Sequence, residues 1–288
     1  YIYYITKGYF DGASKKLVEY LTLFLCDKTV EELIVPTKKT YDLFKEKYKV
    51  KRDVHIIPSG IDVTRFYKEN IDKTKLEDLK KELNIKKDDF IILYVGRIAK
   101  EKNIEFLINN LKDITKKIPK AKMVIVGDGP DMNDLALLVH QNKLDKKVIF
   151  TGKVPWNDIP KYYQLANVFV TSSKTETQGL TVIEAMAASK VVIAIKDESF
   201  LLVMTDKQDG LFFETEEEYK NLIYKIYNDK KYADIIAKQA RITANQYNPV
   251  VYAKRVLKIY ESVINKDTNV FKKVIHNVSK VIKRDDNK

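Results

Sequence analysis

The 288-residue sequence predicts an α/β protein whose main domain is a doubly wound parallel sheet. Residues 90–95 (FIILYV) form a continuous apolar run of strand length, as expected for a strand that helices cover on both faces. Downstream, strand patterns alternate with helical patterns, which is typical of a parallel sheet that binds ligands beyond the carboxyl ends of its strands. A hydrophobic content of 45% supports a sizeable core and excludes a disordered chain.

The first ninety residues contain a less regular set of elements. Residues 15–26 indicate an apolar helix or buried segment, and residues 32–36 a short buried strand. Thr37 can cap the helix that follows. Residues 54–57 predict a second strand, and the polar segment 70–89 predicts a link between domains with a surface helix.

The region after residue 89 alternates in a regular order. The predicted strands are 90–95, 122–126, 148–150, 167–170, 191–195 and 211–213. Helical spacing follows the first, second and fourth of them, at residues 104–111, around 135–139 and at 180–188. Asn248 and Pro249 favour a further helix start, because Asn caps helices and Pro suits the first helical turn.

Charge and cysteine content limit the possible partners and compartment. Lys and Arg number 52 against 40 Asp and Glu, a net charge of +12. Such a surplus fits nucleic acid, an anionic membrane surface, an anionic substrate or a solvated Lys-rich surface. The single Cys26 cannot form an internal disulfide, which fits a reducing cytosol. The apolar stretch 17–26 is too short to span a bilayer.

Two loops that follow predicted strands carry candidate anion-binding residues. Gly96 allows close backbone approach, and Arg97 and Lys102 could hold a pyrophosphate. Two surface cations beside a turn are the alternative. The GDGP sequence that begins at Gly127 is by itself better explained as a turn. It is not the dinucleotide fingerprint G-x-G-x-x-G, because Met132 stands at the third glycine position.

The segment 171–188 (TSSKTETQGLTVIEAMAA) is the most informative part of the sequence. Glu176 lies in the loop after a strand, and Gly179 opens a helix whose N-terminus could bind an anion. Glu184, eight residues after Glu176, would face the same crevice if it shares a helix face with Thr181. An ionised carboxylate suits recognition of sugar hydroxyls. Two exposed acids at a helix start remain the alternative.

Together these motifs resemble the family 4 retaining glycosyltransferases, which have the GT-B fold. The resemblance runs over residues 35–260. It rests on PSGID with Arg65 and Phe66, on GRIAKEKN, on GDGP, on FTG at 150–152 and on E-x7-E within ETQGLTVIEAMA. Ser59 departs from the Asn that is usual in the family, and Thr177 and Gln178 replace a common aromatic residue.

The resemblance implies a role for each candidate residue. Arg97 and Lys102 would neutralise the diphosphate of a nucleotide-sugar donor, with UDP-glucose favoured. Glu176 would contact the transferred sugar as the catalytic carboxylate, and Glu184 would hold the ribose. The remaining donor-binding positions are Gly127, Val154, Gly179, Leu180 and Thr181. No Asp-x-Asp pair occurs, so we expect no obligatory metal or other cofactor.

The resemblance also implies a domain organisation of two Rossmann-like domains, of which the N-terminal one is only partly present. The expected parts are the acceptor-side domain at 1–68, a linker and surface helix at 69–89, the donor-binding domain at 90–247, a helix packing back towards the N-terminal domain at 248–265 and a basic tail at 266–288. None of His55, His140 and His276 matches the family's active-site His, which leaves open whether this chain alone is active.

The N-terminal segment and the sequence SSKTETQGLTVIEAMA are similar to the corresponding segments of bacterial enzymes that glycosylate diacylglycerol. The tail supports a lipid acceptor, because its apolar residues from 270 to 282 recur on one helix face beside five basic residues. Residues 38–52 carry seven basic and two acidic residues. We therefore expect a peripheral protein at the cytoplasmic face of the cell membrane. Packing of the tail on the core is the alternative.

The sequence thus favours a retaining transferase that moves a hexose, with glucose favoured, from a nucleotide-sugar to a membrane lipid such as 1,2-diacylglycerol. Two rivals stay open: an enzyme with a soluble sugar or polysaccharide acceptor, and a non-catalytic fragment that binds a nucleotide-sugar or a membrane. Nucleic-acid binding is the least favoured, because the aromatic residues occur at core spacing and no recognition motif is present.

Overall fold

The computed structural model describes residues 13–266, and the side chains of residues 16–265. The predictions on residues 1–12, on the tail beyond Lys266 and on His276 therefore lie outside the described residues. The described part forms two compact units. One contains the residues before Ile61 together with those after Asn248, and the other runs from Ile61 to Asn248.

The elements follow one another in chain order. The strands are β1 (Glu32–Val35), β2 (Asp53–Ile56), β3 (Phe90–Val95), β4 (Ala121–Val126), β5 (Val148–Phe150), β6 (Val168–Thr171), β7 (Val191–Ile195) and β8 (Leu211–Phe213). The α-helices are α1 (Ala13–Lys28), α2 (Lys38–Asp42), α3 (Lys73–Glu82), α4 (Ile104–Lys117), α5 (Met132–Gln141), α6 (Ile159–Leu165), α7 (Leu180–Ala187), α8 (Glu198–Leu201), α9 (Glu216–Asn228), α10 (Lys230–Ala244) and α11 (Pro249–Lys266).

The larger unit is built on a six-stranded parallel sheet with the strand order β5-β4-β3-β6-β7-β8. Every residue of β3 and β7 is buried, as the continuous apolar runs predicted. The order changes direction at β3, which pairs with β4 on one side and β6 on the other. Ligands of doubly wound sheets bind at this switch point, so the loops after β3 and β6 are where a site is expected.

Helix α4 illustrates how the core forms. It buries Leu107, Ile108, Leu111 and Ile114, which recur at intervals of three and four residues and form one face. The sequence prediction had ended this helix at residue 111, whereas it continues to Lys117. The spacing of apolar residues therefore identified the buried face and missed the last turns.

Four helices, α6, α8, α9 and α10, were not predicted. Helix α9 carries a readable signal, because Thr215 and Glu218 form a reciprocal capping box at its start. In the polar segment 70–89, the predicted surface helix is α3, which buries Leu79 and packs against α6. The expected linker therefore contributes apolar surface to the larger unit.

The smaller unit contains a two-stranded parallel sheet in which Glu32 is opposite Asp53. Thr37 caps α2 as predicted, since its side chain accepts a hydrogen bond from the Thr40 N–H. Helix α11 packs on β1.

Within residues 13–266, no helix combines the length and apolar character needed to cross a bilayer.

Candidate functional site

The loops after β3 and β4 meet backbone to backbone at the carboxyl edge of the sheet. A Cβ atom on Gly127 would lie 1.9 Å from the carbonyl oxygen of Gly96, and one on Gly129 would lie 2.0 Å from that of Ile98. Hydrogen bonds from Ile98 N–H to the Asp128 carbonyl and from Gly127 N–H to the Gly152 carbonyl, each 3.0 Å, join three successive loops. The GDGP sequence is thus the turn that its residues suggest, and it fixes the loop that carries Arg97.

An ion pair joins the loops on either side of the switch point. Lys102 Nζ lies 2.6 Å from Glu176 Oε1, and the two side chains are only 18% and 23% exposed. Ser172 Oγ donates to the Asn103 carbonyl at 2.7 Å, and Ser199 Oγ donates to the Glu176 carbonyl at 2.5 Å. The loop after β6 is therefore held from both sides, and the sequence-predicted Lys102 and Glu176 are brought together.

Arg97 lies in the same loop as Lys102 and is more accessible. Its side chain is 55% exposed, and its guanidinium is 4.0 Å from Glu101 Oε1. The backbone of Arg97 is fixed, because Tyr94 Oη donates to its carbonyl at 3.0 Å. Burial raises the pKa of the Tyr94 phenol far above its usual value, so Tyr94 remains a donor.

Helix α7 begins at this edge of the sheet, immediately after Gly179. Gly179 has φ +72°, and a Cβ there would lie 2.8 Å from the Phe200 ring, so both conformation and space favour glycine. The first N–H groups of a helix have no partner within the helix, so Leu180 and Thr181 carry backbone donors suited to an anion.

Glu184 lies one turn further along α7 and is buried, with 5% of its surface exposed. Tyr163 Oη donates to Glu184 Oε2 at 2.7 Å and also contacts the Thr181 carbonyl at 3.2 Å. Burial raises the pKa of Glu184 from 4.5 to about 7, while the Tyr163 hydrogen bond and the nearby Arg65 oppose this rise. Glu184 is therefore not an exposed acid at a helix start.

Val154 lies in a different setting from the other predicted site residues. It lines a groove of about 400 Å³ together with Leu79 of α3 and Tyr162 of α6. Among the described residues, no hydrogen bond or ion pair joins Val154 to the other predicted positions. Its assignment to the base therefore stays a prediction.

Sequence reasoning missed Tyr94, Tyr163, Ser172 and Ser199. Tyr163 occurs in the apolar pattern of a short helix, where an aromatic residue indicates only core. The serines act through backbone carbonyls of distant loops, so no local signal identifies them. His55 bonds Glu32 at 2.6 Å in the smaller unit and His140 bonds Asp145 at 3.0 Å, and neither contacts the residues above. No cluster of His, Cys, Asp and Glu that could hold a metal occurs within the described part of the chain.

Several known proteins are similar to this chain in sequence. Residues 76–243 match the family model described as glycosyl transferases group 1. The chain is 35% identical over 278 residues to an alpha-monoglucosyldiacylglycerol synthase of Acholeplasma laidlawii, covering 95% of this chain and 69% of the relative. It is 34% identical over 224 residues to the protein of the same name from Streptococcus pneumoniae, covering 77% of this chain and half of the relative.

Solved structures share the fold. HepE of Anabaena, in complex with UDP-glucose, superposes with a TM-score of 0.74 at 18% identity, over 85% of this chain and 67% of that one. Sucrose-phosphate synthase of Thermosynechococcus elongatus gives 0.75 at 24% identity, over 87% and 62%. These similarities confirm the predicted GT-B type of α/β fold.

Two glycine substitutions distinguish the energetic cost of a steric clash from that of a positive φ angle at this edge of the sheet. Gly129→Ala should lower the free energy of unfolding by about 3 kcal/mol, because the new methyl group collides with the Ile98 carbonyl. Gly152→Ala should cost only about 1 kcal/mol, since its φ is +68° but no atom lies within 4 Å of a Cβ there. Urea denaturation of both variants tests the difference, and equal costs would contradict the close loop contact.

The pKa of Glu184 predicts a pH-dependent stability. Between pH 4.5 and about 7 the native carboxyl binds a proton that the unfolded chain does not, so wild-type stability falls as the pH rises through this window. Glu184→Gln removes that dependence. The stability of the wild type relative to Glu184→Gln should fall by about 3 kcal/mol between pH 4.5 and pH 8, as measured by urea denaturation at each pH. A constant difference would mean that Glu184 is not held in a desolvating site.

Proposed function

Because this chain belongs to the group 1 glycosyltransferases, we propose that it transfers glucose from UDP-glucose to the hydroxyl of diacylglycerol with retention at the anomeric carbon. The names of the two relatives at 35% and 34% identity support the lipid acceptor. The observation that carries the proposal is the Lys102–Glu176 pair at the switch point, where a cation for phosphate and a carboxylate for sugar lie 2.6 Å apart.

Arg97, Lys102 and the start of α7 bind the donor diphosphate in this proposal. In the reaction the bond between the anomeric carbon and the diphosphate oxygen breaks, and a bond to the acceptor oxygen forms. The acceptor proton passes to the departing phosphate on the same face of the sugar. Two cations and a helix N-terminus stabilise the negative charge that develops on the diphosphate. They supply the charge that a metal would otherwise supply, so we propose no obligatory metal.

Glu176 acts on the transferred sugar as the catalytic carboxylate. Without a donor, it is neutralised by Lys102. A bound diphosphate competes with Glu176 for Lys102, and the Glu176 carboxylate accepts hydrogen bonds from sugar hydroxyls. Donor binding thereby prepares the carboxylate at the step at which it is needed.

Glu184 accepts hydrogen bonds from the ribose hydroxyls of the donor, because an ionised carboxylate is a strong acceptor for two neighbouring hydroxyl groups. The backbone at Val154 contacts the base, and Gly127 keeps the adjacent loop close to the diphosphate. We assign residues 90–247 to donor binding and residues 1–68 to the acceptor side.

Binding to an anionic membrane surface completes the proposal. Residues 38–52 contain seven basic and two acidic residues, and the tail from Lys266 to Arg284 adds more cations. Each basic residue near an anionic surface contributes about 1 kcal/mol. The protein would therefore work on the cytoplasmic face of the cell membrane, where its lipid acceptor is embedded.

Lys102→Ala and Arg97→Ala should each weaken UDP binding about tenfold or more, because a charge-assisted hydrogen bond to phosphate is lost. Isothermal calorimetry measures the affinity, and transfer of labelled glucose to diacylglycerol vesicles should fall with it. Lys100→Ala is the matched control, since Lys100 is an exposed cation in the same turn. Wild-type UDP affinity in both Arg97→Ala and Lys102→Ala would refute the diphosphate assignment.

Deletion of residues 266–288 should reduce flotation with vesicles that contain anionic lipid, and high salt should reduce flotation of the intact chain. Vesicles of phosphatidylcholine alone provide the control, because they lack the anionic surface. Equal flotation with both vesicle types would contradict electrostatic membrane binding. Transfer to a soluble sugar in place of diacylglycerol would overturn the lipid acceptor.

A further inference from the structure

A buried tyrosine of α6, Tyr163, is in hydrogen-bond contact with the Glu184 carboxyl group. Tyr163 Oη donates to Glu184 Oε2 at 2.7 Å and approaches the Thr181 carbonyl at 3.2 Å. A phenol has one proton to donate, so the shorter contact to the carboxylate is the main hydrogen bond. The contacts join one hydroxyl to the first turn of α7 and to the carboxylate one turn later.

The ring of Tyr163 is fixed by other aromatic residues. Phe66 packs edge to face against it at 5.5 Å between ring centroids, and Phe169 of β6 lies at 5.7 Å. Phe66 also packs edge to face against Trp156, at 6.1 Å. Contacts from separate elements therefore determine where the hydroxyl points, and the carboxylate must conform to it.

Only one oxygen of the carboxylate is used by this contact. Among the described residues, the side-chain hydrogen bond of Glu184 is the one from Tyr163 to Oε2. Oε1 therefore remains for a ligand. The charged and titratable groups of the described structure that act on Glu184 are Tyr163 and Arg65, and both favour its ionised form against the effect of burial.

We propose that Tyr163 is a positioning residue for donor binding, whose hydrogen bond orients the Glu184 carboxyl group and aims Oε1 at the ribose hydroxyls. The inference rests on the proposed ribose role of Glu184 and deepens it. Tyr163 itself does not touch the donor. A purely structural tyrosine would instead support the core without any effect on how the protein distinguishes a ribose from a sugar that lacks hydroxyls.

The test compares the affinities of the full chain for UDP and for 2′,3′-dideoxy-UDP between pH 5.5 and 9. The ratio of the two affinities cancels the titration of the phosphates and isolates the hydroxyl contacts. In the wild type the ratio should rise with pH around a midpoint near the Glu184 pKa of about 7, to about tenfold. Tyr163→Phe should move the midpoint upward by about one pH unit and leave the dideoxy affinity within twofold.

A second variant keeps both the ring and the hydroxyl in place. Replacing Tyr163 with 3-fluorotyrosine makes the phenol a stronger donor, so the midpoint should move downward. Tyr219→Phe is the matched control, because Tyr219 is also fully buried but its hydroxyl has no partner in the described structure. This control should leave both the ratio and its midpoint unchanged.

The results can distinguish the positioning role of Tyr163 from the ribose role of Glu184 on which it rests. A ratio near one in the wild type at every pH, or one that Glu184→Gln leaves intact, overturns the ribose role of Glu184 and the positioning role with it. A ratio that Glu184→Gln abolishes while both Tyr163 variants leave the midpoint unmoved overturns only the role of Tyr163. Equal losses of UDP and dideoxy-UDP affinity in Tyr163→Phe also overturn it, since they indicate a structural effect.

Discussion

Direct contact between the backbones of two loops determines where Arg97 and Lys102 lie. The loops after β3 and β4 approach so closely that neither Gly127 nor Gly129 could carry a Cβ. This contact fixes the loop of Arg97 and Lys102 relative to the sheet, so that Lys102 reaches Glu176 across the switch point. A side chain at Gly127 or Gly129 would separate the loops and displace both cations from the edge of the sheet.

The positive charge of the chain has different consequences in different places. Many Lys side chains form exposed pairs one turn apart, such as Lys81 with Asp78 and Lys116 with Asp113, and these contribute little to stability. Lys102 differs, because it is partly buried and its ammonium group pairs with a carboxylate of another loop. A net charge of +12 thus says less about function than the burial of one ion pair.

The parts of the fold that the sequence predicted are those governed by local pattern. The bounds of β3, β5, β7 and β8 agree with the apolar runs, because strands buried on both faces show almost no polar residues. Helices such as α10 were missed because their apolar faces are narrow and interrupted by Lys and Gln. Lys102, Glu176 and Glu184 could be selected as candidates because family motifs carry them, and their roles, like the base contact at Val154, stay predictions.

The sequence by itself determined the parallel α/β fold, the glycosyltransferase family motifs and the identity of the charged candidates, since each depends on residues close together in the chain. Only the tertiary structure decided the state of those candidates. Lys102 and Glu176 are 74 residues apart, and Tyr163 and Glu184 are 21 apart. A carboxylate is paired, buried or oriented by a phenol according to which distant elements the fold brings beside it. The residues next to it in the chain do not indicate which elements these are.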